Sequence, residues 1–208
     1  MMSRARRMLE LQKQDHYTGL NIALFCAMAI EAYLNDFTLI LQLTLTSNSK
    51  PEVTAASSLM NELSESKVSL FTKYELLYYV LTRRPLPKGD SVWENFRLLM
   101  TIRNTAVHYK SSITDYIPVS PEHKNSKSIR NLITVLKNKK LLIRKTHLHD
   151  AQWSMLLDES VPFSEWAIKT TQDVVLTIHS AIPDPEVQSL FSGLVKPGES
   201  WLMGYTPR

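Results

Sequence analysis

The chain has 208 residues, of which 44% are hydrophobic and 21% charged, and its formal net charge is +4. This length and apolar content suffice for one domain with its own core, which needs no disulfide or metal to fold. The single cysteine, Cys26, excludes an intrachain disulfide and favours a reducing compartment, so we expect a cytoplasmic protein. The five glycines form no phosphate-binding loop, which argues against a nucleotide-hydrolysing fold.

The first predicted helix runs from about residue 15 to residue 45 and contains the longest apolar stretch. Asn21, Glu31, Asn35 and Asp36 interrupt that stretch, and charged or amide groups are costly inside a bilayer. We therefore expect a core helix and no membrane partner. Glu31 and Asn35 are one helical turn apart and lie on the same polar ridge.

Breaker residues at 47–51 end this helix, and a second helix is predicted most clearly over 65–81. A proline-containing loop at 83–89 separates it from a third helix over about 92–109. On that third helix an apolar stripe is predicted, formed by Trp93, Phe96, Met100 and Val107. A polar ridge runs beside it, formed by Arg97, Thr101, Asn104 and His108.

The third helix carries the residues best suited to chemistry, Arg103, Asn104 and His108. Asn104 and His108 are one turn apart, whereas Arg103 and His108 lie about 140° apart on a regular helix. Arg103 and His108 therefore meet at one substrate only if the arginine reaches around the helix, the helix loosens, or a second copy supplies the missing partner.

Downstream, a loop is predicted over 111–127, a basic amphipathic helix over 128–139 and a last helix over 162–181. Pro162 suits the first turn of that last helix, and the tail after Pro183 is expected to be extended. The basic helix has a predicted apolar face of Ile129, Leu132, Ile133 and Leu136.

The basic segment from Lys124 to Lys145 has eight Lys or Arg and no acid, so it contains the whole positive excess of the chain. It either follows an RNA backbone by charge attraction or is a solvated helix face. The RNA-binding candidates are Arg97, Lys110, Lys137, Lys139, Lys140, Arg144 and Lys145. His147, His149 and Asp150 have the spacing of metal ligands but no accompanying cluster, so no metal and no cofactor are predicted.

The spacing of Arg103, Asn104 and His108 resembles the signature of the HEPN family, the higher eukaryote and prokaryote nucleotide-binding domains. Glu31 and Asn35, embedded in a long early helix, also resemble that family's first helix. The resemblance covers roughly residues 15–110 and, more loosely, the last helix near Trp166. It implies a metal-independent endoribonuclease of toxin or host-defence type, a homodimer in which two motifs build one cleft for RNA.

In this interpretation His108 exchanges protons at the ribose 2′-hydroxyl and Arg103 holds phosphate oxygens. Asn104 orients His108 or contacts phosphate. Glu31, Asn35 and Tyr109 support the site, with Glu31 fixing Arg103 through an ion pair.

The resemblance also bears on an antitoxin partner. In many family toxins the antitoxin modifies a tyrosine two residues after the histidine. This chain has Lys110 there and Tyr109 directly beside His108, which departs from that mode of control.

These features predict an all-α, antiparallel helical bundle with a C-terminal helical extension, in a single domain over residues 1–208. Its core lies at about 15–110, its basic segment at 111–150, and its last helix and tail at 151–208. The alternative to an endoribonuclease is a noncatalytic helical module that binds RNA, nucleotide or protein, or serves as a scaffold. In that alternative Arg103 pairs with a buried Glu31, His108 packs between helices, and Asn104 satisfies a neighbouring backbone group.

Overall fold

The computed structural model describes residues 2–14, 18–46, 49–87, 89–108, 124–142 and 153–195, and all regular secondary structure in these ranges is helical. In chain order the helices are α1 (Met2–Gln12), α2 (Gly19–Thr44), α3 (Pro51–Ser64), α4 (Leu70–Thr82), α5 (Ser91–His108), α6 (Lys124–Asn138), α7 (Trp153–Asp158), α8 (Val161–Ala181) and α9 (Pro185–Val195). They pack around one hydrophobic core. The predicted all-α helical bundle is confirmed.

Helices α2 and α8 lie side by side at the centre of the bundle, and α1, α3, α4, α5 and α9 pack around them. At one end the backbone N–H of Leu20 donates to Asp158 Oδ1 at 2.8 Å. At the other end Lys50 Nζ donates to the carbonyl of Pro183 at 2.6 Å. Since α2 and α8 each begin near the first contact and end near the second, they run in the same direction.

Cys26 on α2 is fully buried against α8. Burial raises the pKa of its thiol to about 12, although a hydrogen bond with Thr171 works in the opposite direction. Because the thiolate is the reactive form, this cysteine serves packing.

Helices α4 and α5 run antiparallel and are joined by a layer of aromatic rings. Phe96 meets Phe71 at 5.6 Å and Tyr74 at 5.2 Å between ring centroids, and Trp93 meets Tyr78 at 5.9 Å. The buried hydroxyl of Tyr74 also donates to the carbonyl of Ile30 on α2 at 2.9 Å. These contacts fix α2, α4 and α5 as one unit.

Several predicted boundaries were wrong, and the causes are local. The helix predicted over 65–81 is α4, which begins only at Leu70. The sequence pattern missed α3 before it, because Pro51, taken as part of a breaker cluster, occupies the first turn of that helix. Within the tail predicted to be extended, the described residues form α9, where Asp184 Oδ1 accepts from the backbone N–H of Glu186 at 3.0 Å. The tail after Val195 lies outside the described residues. Helix α1, which the sequence pattern did not indicate, covers one side of α2 and α8.

Other predicted features of the later helices are confirmed. The apolar face predicted for the basic helix is buried in α6, and α8 begins at Val161 with proline in its first turn. On α5, Trp93 and Phe96 are buried as expected. Val107 is not, since its side chain is 54% exposed.

Helix α2 is long and apolar enough, by length and composition alone, to cross a membrane, and 44% of its most apolar stretch is buried in the bundle. Its exposed face carries Asn21, Glu31 and Asn35. A membrane span would have to place these groups in hydrocarbon. The absence of a membrane partner and the cytoplasmic location stay predictions.

Gly19 lies where α2 starts against the carbonyl of Leu157, and a Cβ at this position would overlap that carbonyl oxygen. Because the obstacle is backbone, it cannot rotate away as a side chain would. We expect Gly19→Ala to lower the free energy of unfolding by about 2 kcal/mol, measured by urea denaturation. Gly89→Ala is the matched control, since a Cβ at Gly89 meets nothing within 4 Å. Equal stability of the two variants would contradict this account of the α2–α7 junction.

Asp158 caps the start of α2, and burial raises the pKa of its carboxyl while the Leu20 N–H acts in the opposite direction. Because the pKa of this carboxyl is higher in the folded state than in the unfolded state, the carboxylate begins to lower the stability of the fold only when the pH rises through the unfolded-state pKa. We expect Asp158→Asn, which keeps an acceptor oxygen, to gain stability relative to wild type as the pH rises from about 3 to 6. Asp158→Ala loses the acceptor and should cost about 1 kcal/mol. The free energies of unfolding of both proteins are measured by chemical denaturation at several pH values. If their difference does not change with pH, the raised pKa assigned to Asp158 is wrong.

Candidate active site

A cleft of about 380 Å³ opens where α2, the start of α4 and α5 meet. It is lined by Ala27 and Glu31 of α2, by Ser69, Leu70 and Phe71 at the start of α4, and by Arg97, Met100, Thr101, Arg103 and Asn104 of α5. The structure therefore brings together Glu31, Arg97, Arg103 and Asn104 from the predicted site residues. The described lining residues include two arginines and one glutamate, so their formal charge is +1.

The packing of α5 presents these side chains to the cleft. Phe96, Leu99 and Ile102 are buried on one side of the helix, so the side carrying Arg97, Asn104 and Thr101 faces solvent. The hydroxyl of Thr101 donates to the carbonyl of Arg97 at 2.9 Å. The described part of the predicted polar ridge is thus exposed as expected.

Arg97 is held over an aromatic ring. Its guanidinium carbon lies 4.8 Å from the centroid of Phe71, which in turn contacts the buried Phe96. Such cation–π contact restrains a long side chain that would otherwise move freely in water. Phe71 was not predicted as a site residue, because nothing in the sequence indicates that the start of α4 lies beside α5.

Arg103 is half-buried, and its Nη1 donates to Asn104 Oδ1 at 3.0 Å. The predicted ion pair with Glu31 is not formed, since no oxygen of that carboxylate lies within 4.0 Å of the guanidinium. Glu31 is exposed rather than buried, so hydration replaces the pairing that a buried carboxylate would require. Asn35 is also exposed and does not line the cleft.

His108 is the last residue of α5. Its side chain lies outside the described residues, as do Tyr109 and Lys110. The cleft geometry therefore concerns the arginine and asparagine of the motif, and the placement of the histidine ring stays a prediction.

The predicted RNA-binding residues fall into two places. Arg97 is in the cleft, whereas Lys139 Nζ donates to Asn95 Oδ1 at 3.0 Å. Asn95 points about 160° away from Arg97 on a regular helix. The exposed Lys137 and Lys140 accompany Lys139 at the end of α6, so these lysines do not line the cleft. Arg144 and Lys145 lie outside the described residues, as do His147, His149 and Asp150.

A larger groove of about 590 Å³ lies between α4, α5 and α8. Among the described residues that line it, Asp173 is the one carboxylate and is bound by Lys169 at 2.8 Å, and none is an arginine or a histidine. Across the described ranges, no three His, Cys, Asp or Glu side chains gather as metal ligands. The smaller cleft is therefore the better candidate on chemical grounds.

Ser69 marks an unpredicted contribution from α4. Its hydroxyl accepts from the Thr72 backbone N–H at 3.1 Å and caps the helix start, which the sequence pattern had placed at 65. The positive end of the α4 dipole consequently lies at the cleft, where it adds to the field of the two arginines.

Comparisons of the chain with family models, with curated proteins and with solved structures found no match. The resemblance to the HEPN family therefore rests on the motif residues themselves.

Glu31 and Arg103 share the cleft without forming an ion pair, so we expect little energetic coupling between them. A double-mutant cycle with Glu31→Gln and Arg103→Gln should give a coupling in unfolding free energy below about 0.5 kcal/mol. The Lys169–Asp173 pair, at 2.8 Å, provides the comparison cycle. Coupling well above that of the comparison pair would show that a direct ion pair forms in solution.

Proposed function

We propose that the protein is a metal-independent endoribonuclease of toxin or host-defence type that cuts RNA through the 2′-hydroxyl. One observation carries the proposal: Arg103 lines a solvent-open cleft with no carboxylate bound to it among the described side chains. An arginine needed only for stability would gain most by pairing with a carboxylate. Here the guanidinium retains donors for a phosphate group.

The chemistry assigns a separate task to each motif residue. The 2′-oxygen attacks the neighbouring phosphorus, so a proton must leave that oxygen and another must reach the departing 5′-oxygen. His108 supplies one of these transfers, since imidazole titrates near neutral pH. Arg103 stabilises the negative charge that develops on phosphate, and Asn104 restrains the Arg103 guanidinium through its 3.0 Å hydrogen bond.

A second copy of the chain would supply the second histidine. Two large apolar side chains support this homodimer, because Val107 is 54% exposed at the end of α5 and Met28 is 43% exposed beside cleft residue Ala27. The lysines at the end of α6 would hold an RNA backbone outside the cleft. An antitoxin partner belongs to the same proposal.

The second candidate function is a noncatalytic module that binds RNA or nucleotide. The stacking of Arg97 on Phe71 favours this function, because it provides a binding surface that does not depend on the histidine. The two candidates differ in a single measurable property, cleavage.

We expect the purified protein to cut single-stranded RNA in excess chelator and to leave 2′,3′-cyclic phosphate ends. His108→Ala should reduce the cleavage rate by about 100-fold or more, since the proton transfer is lost. The measurement is a gel assay with end-labelled RNA, together with circular dichroism to show that the fold survives.

His179→Gln provides the control, since this histidine lies on α8 and away from the cleft. Cleavage that persists in His108→Ala, or that disappears when a chelator is added to the wild type, would rule out the proposed mechanism.

A further inference from the structure

We propose that Arg97, Phe71 and Glu31 form a subsite for one unpaired nucleotide of the RNA, with a preference for guanine over uracil. This inference rests on the proposed function for the identity of the ligand as RNA. Binding, however, is measured separately from cleavage, so the two proposals can fail independently.

The size and lining of the cleft suit a nucleotide. Its volume of about 380 Å³ lies within the range of small-molecule sites. One part of the wall is apolar, formed by Leu70, Phe71 and Met100, and another part carries the two arginines. A nucleotide has the same two parts, a flat base and a charged phosphate.

The Arg97–Phe71 pair offers a platform for the base. Nucleobases stack on arginine guanidinium planes as well as on aromatic rings, and proteins read unpaired RNA bases in this way. The 4.8 Å contact with Phe71 already restrains the guanidinium, so less freedom is lost when a base stacks on it. A base inside a duplex has both faces covered, which restricts the subsite to unpaired nucleotides.

Arg103 and Asn104 lie in the same cleft and provide the contact for the phosphate. The hydrogen bond between them leaves the remaining guanidinium N–H groups available for phosphate oxygens. A nucleotide stacked on Arg97 would thereby bring its phosphate toward the motif arginine.

Glu31 accounts for the base preference. Its carboxylate is exposed, lines the cleft, and has no hydrogen-bond or ion-pair partner among the described residues. A carboxylate offers two acceptor oxygens and no donor. Guanine presents two adjacent donors, its ring N1–H and its 2-amino group, whereas uracil presents one N–H flanked by carbonyl oxygens that repel a carboxylate.

The experiment uses 2′-O-methyl hexanucleotides, which cannot be cut because the attacking oxygen is methylated. Binding of a uridine hexamer, and of the same hexamer with a single guanosine, is measured by fluorescence anisotropy. For the wild type we expect the guanosine hexamer to bind about tenfold more tightly, as one bidentate base contact allows. Glu31→Gln should bring the ratio of the two affinities close to one.

Arg97→Gln should weaken binding of both hexamers by about tenfold, the effect expected when one stacking contact is removed. Phe71→Leu, which keeps apolar bulk but removes the ring, should act in the same direction. The matched controls are Arg84→Gln and Glu62→Gln, exposed residues outside the cleft that undergo the same chemical changes. Both controls should bind like the wild type.

The proposal is overturned if the wild type binds the two hexamers with equal affinity or binds neither measurably. It is also overturned if a folded Arg97→Gln variant binds them as tightly as the wild type does. If the hexamer pattern holds and RNA is not cut, the subsite stands and the endoribonuclease fails. If RNA is cut but the hexamer pattern is absent, the subsite fails and the endoribonuclease stands.

Discussion

The aromatic layer between α4 and α5 is the constraint on which the candidate site depends. Phe96 is fully buried between Phe71 and Tyr74, and the Tyr74 hydroxyl ties this layer to the backbone of α2 at Ile30. Because the rings fix the rotation of α5 about its axis, they determine which of its side chains face the cleft. A rotation by one residue, about 100°, would exchange part of the buried face for the polar ridge. The packing that stabilises the bundle therefore also orients Arg97 and Asn104.

Charge in the cleft is arranged for solvent contact rather than for internal pairing. Arg97 is exposed and Arg103 is half-buried, and both line the cleft. Glu31 lines the same cleft but forms no ion pair with either arginine. Exposed ion pairs contribute little to stability, so the fold loses little by leaving these charges apart. Two cations in one open cleft attract an anion, however, and this attraction would be weakened if either cation were neutralised by a carboxylate.

Periodicity predicted the long helices and the ridge on α5, because these depend on residues close together in sequence. Periodicity did not predict the helices that begin at Pro51 and Pro185. At both positions a proline in the first turn starts a helix, although the surrounding residues resemble those of a loop. Contacts between side chains of different helices could not be predicted from the sequence either. Phe71 reaches the site only because α4 packs antiparallel to α5, and Val107 is exposed although it shares its predicted stripe with buried Trp93.

The basic residues show the same limit of prediction. The apolar face of α6 was predicted correctly, but a single helix pattern does not reveal against which neighbour that face packs. The hydrogen bond of Lys139 to Asn95 places the end of α6 on the side of α5 away from Arg97. The sequence analysis named Arg97 and the α6 lysines together as RNA-binding candidates, and the tertiary structure places them on different sides of α5.

This separation has a consequence for how one RNA could use both groups of cations. A strand in the cleft of one chain would have to pass around α5 to reach the α6 lysines of that same chain. In a dimer formed through the exposed apolar side chains near the cleft, Met28 and Val107, the strand could instead continue onto the partner's surface. The same arrangement would bring two copies of the α5 terminus together, as two-histidine chemistry requires. Association of two chains would thus solve the catalytic and the substrate-binding problem with one interface, which is the strongest physical argument for a dimeric site.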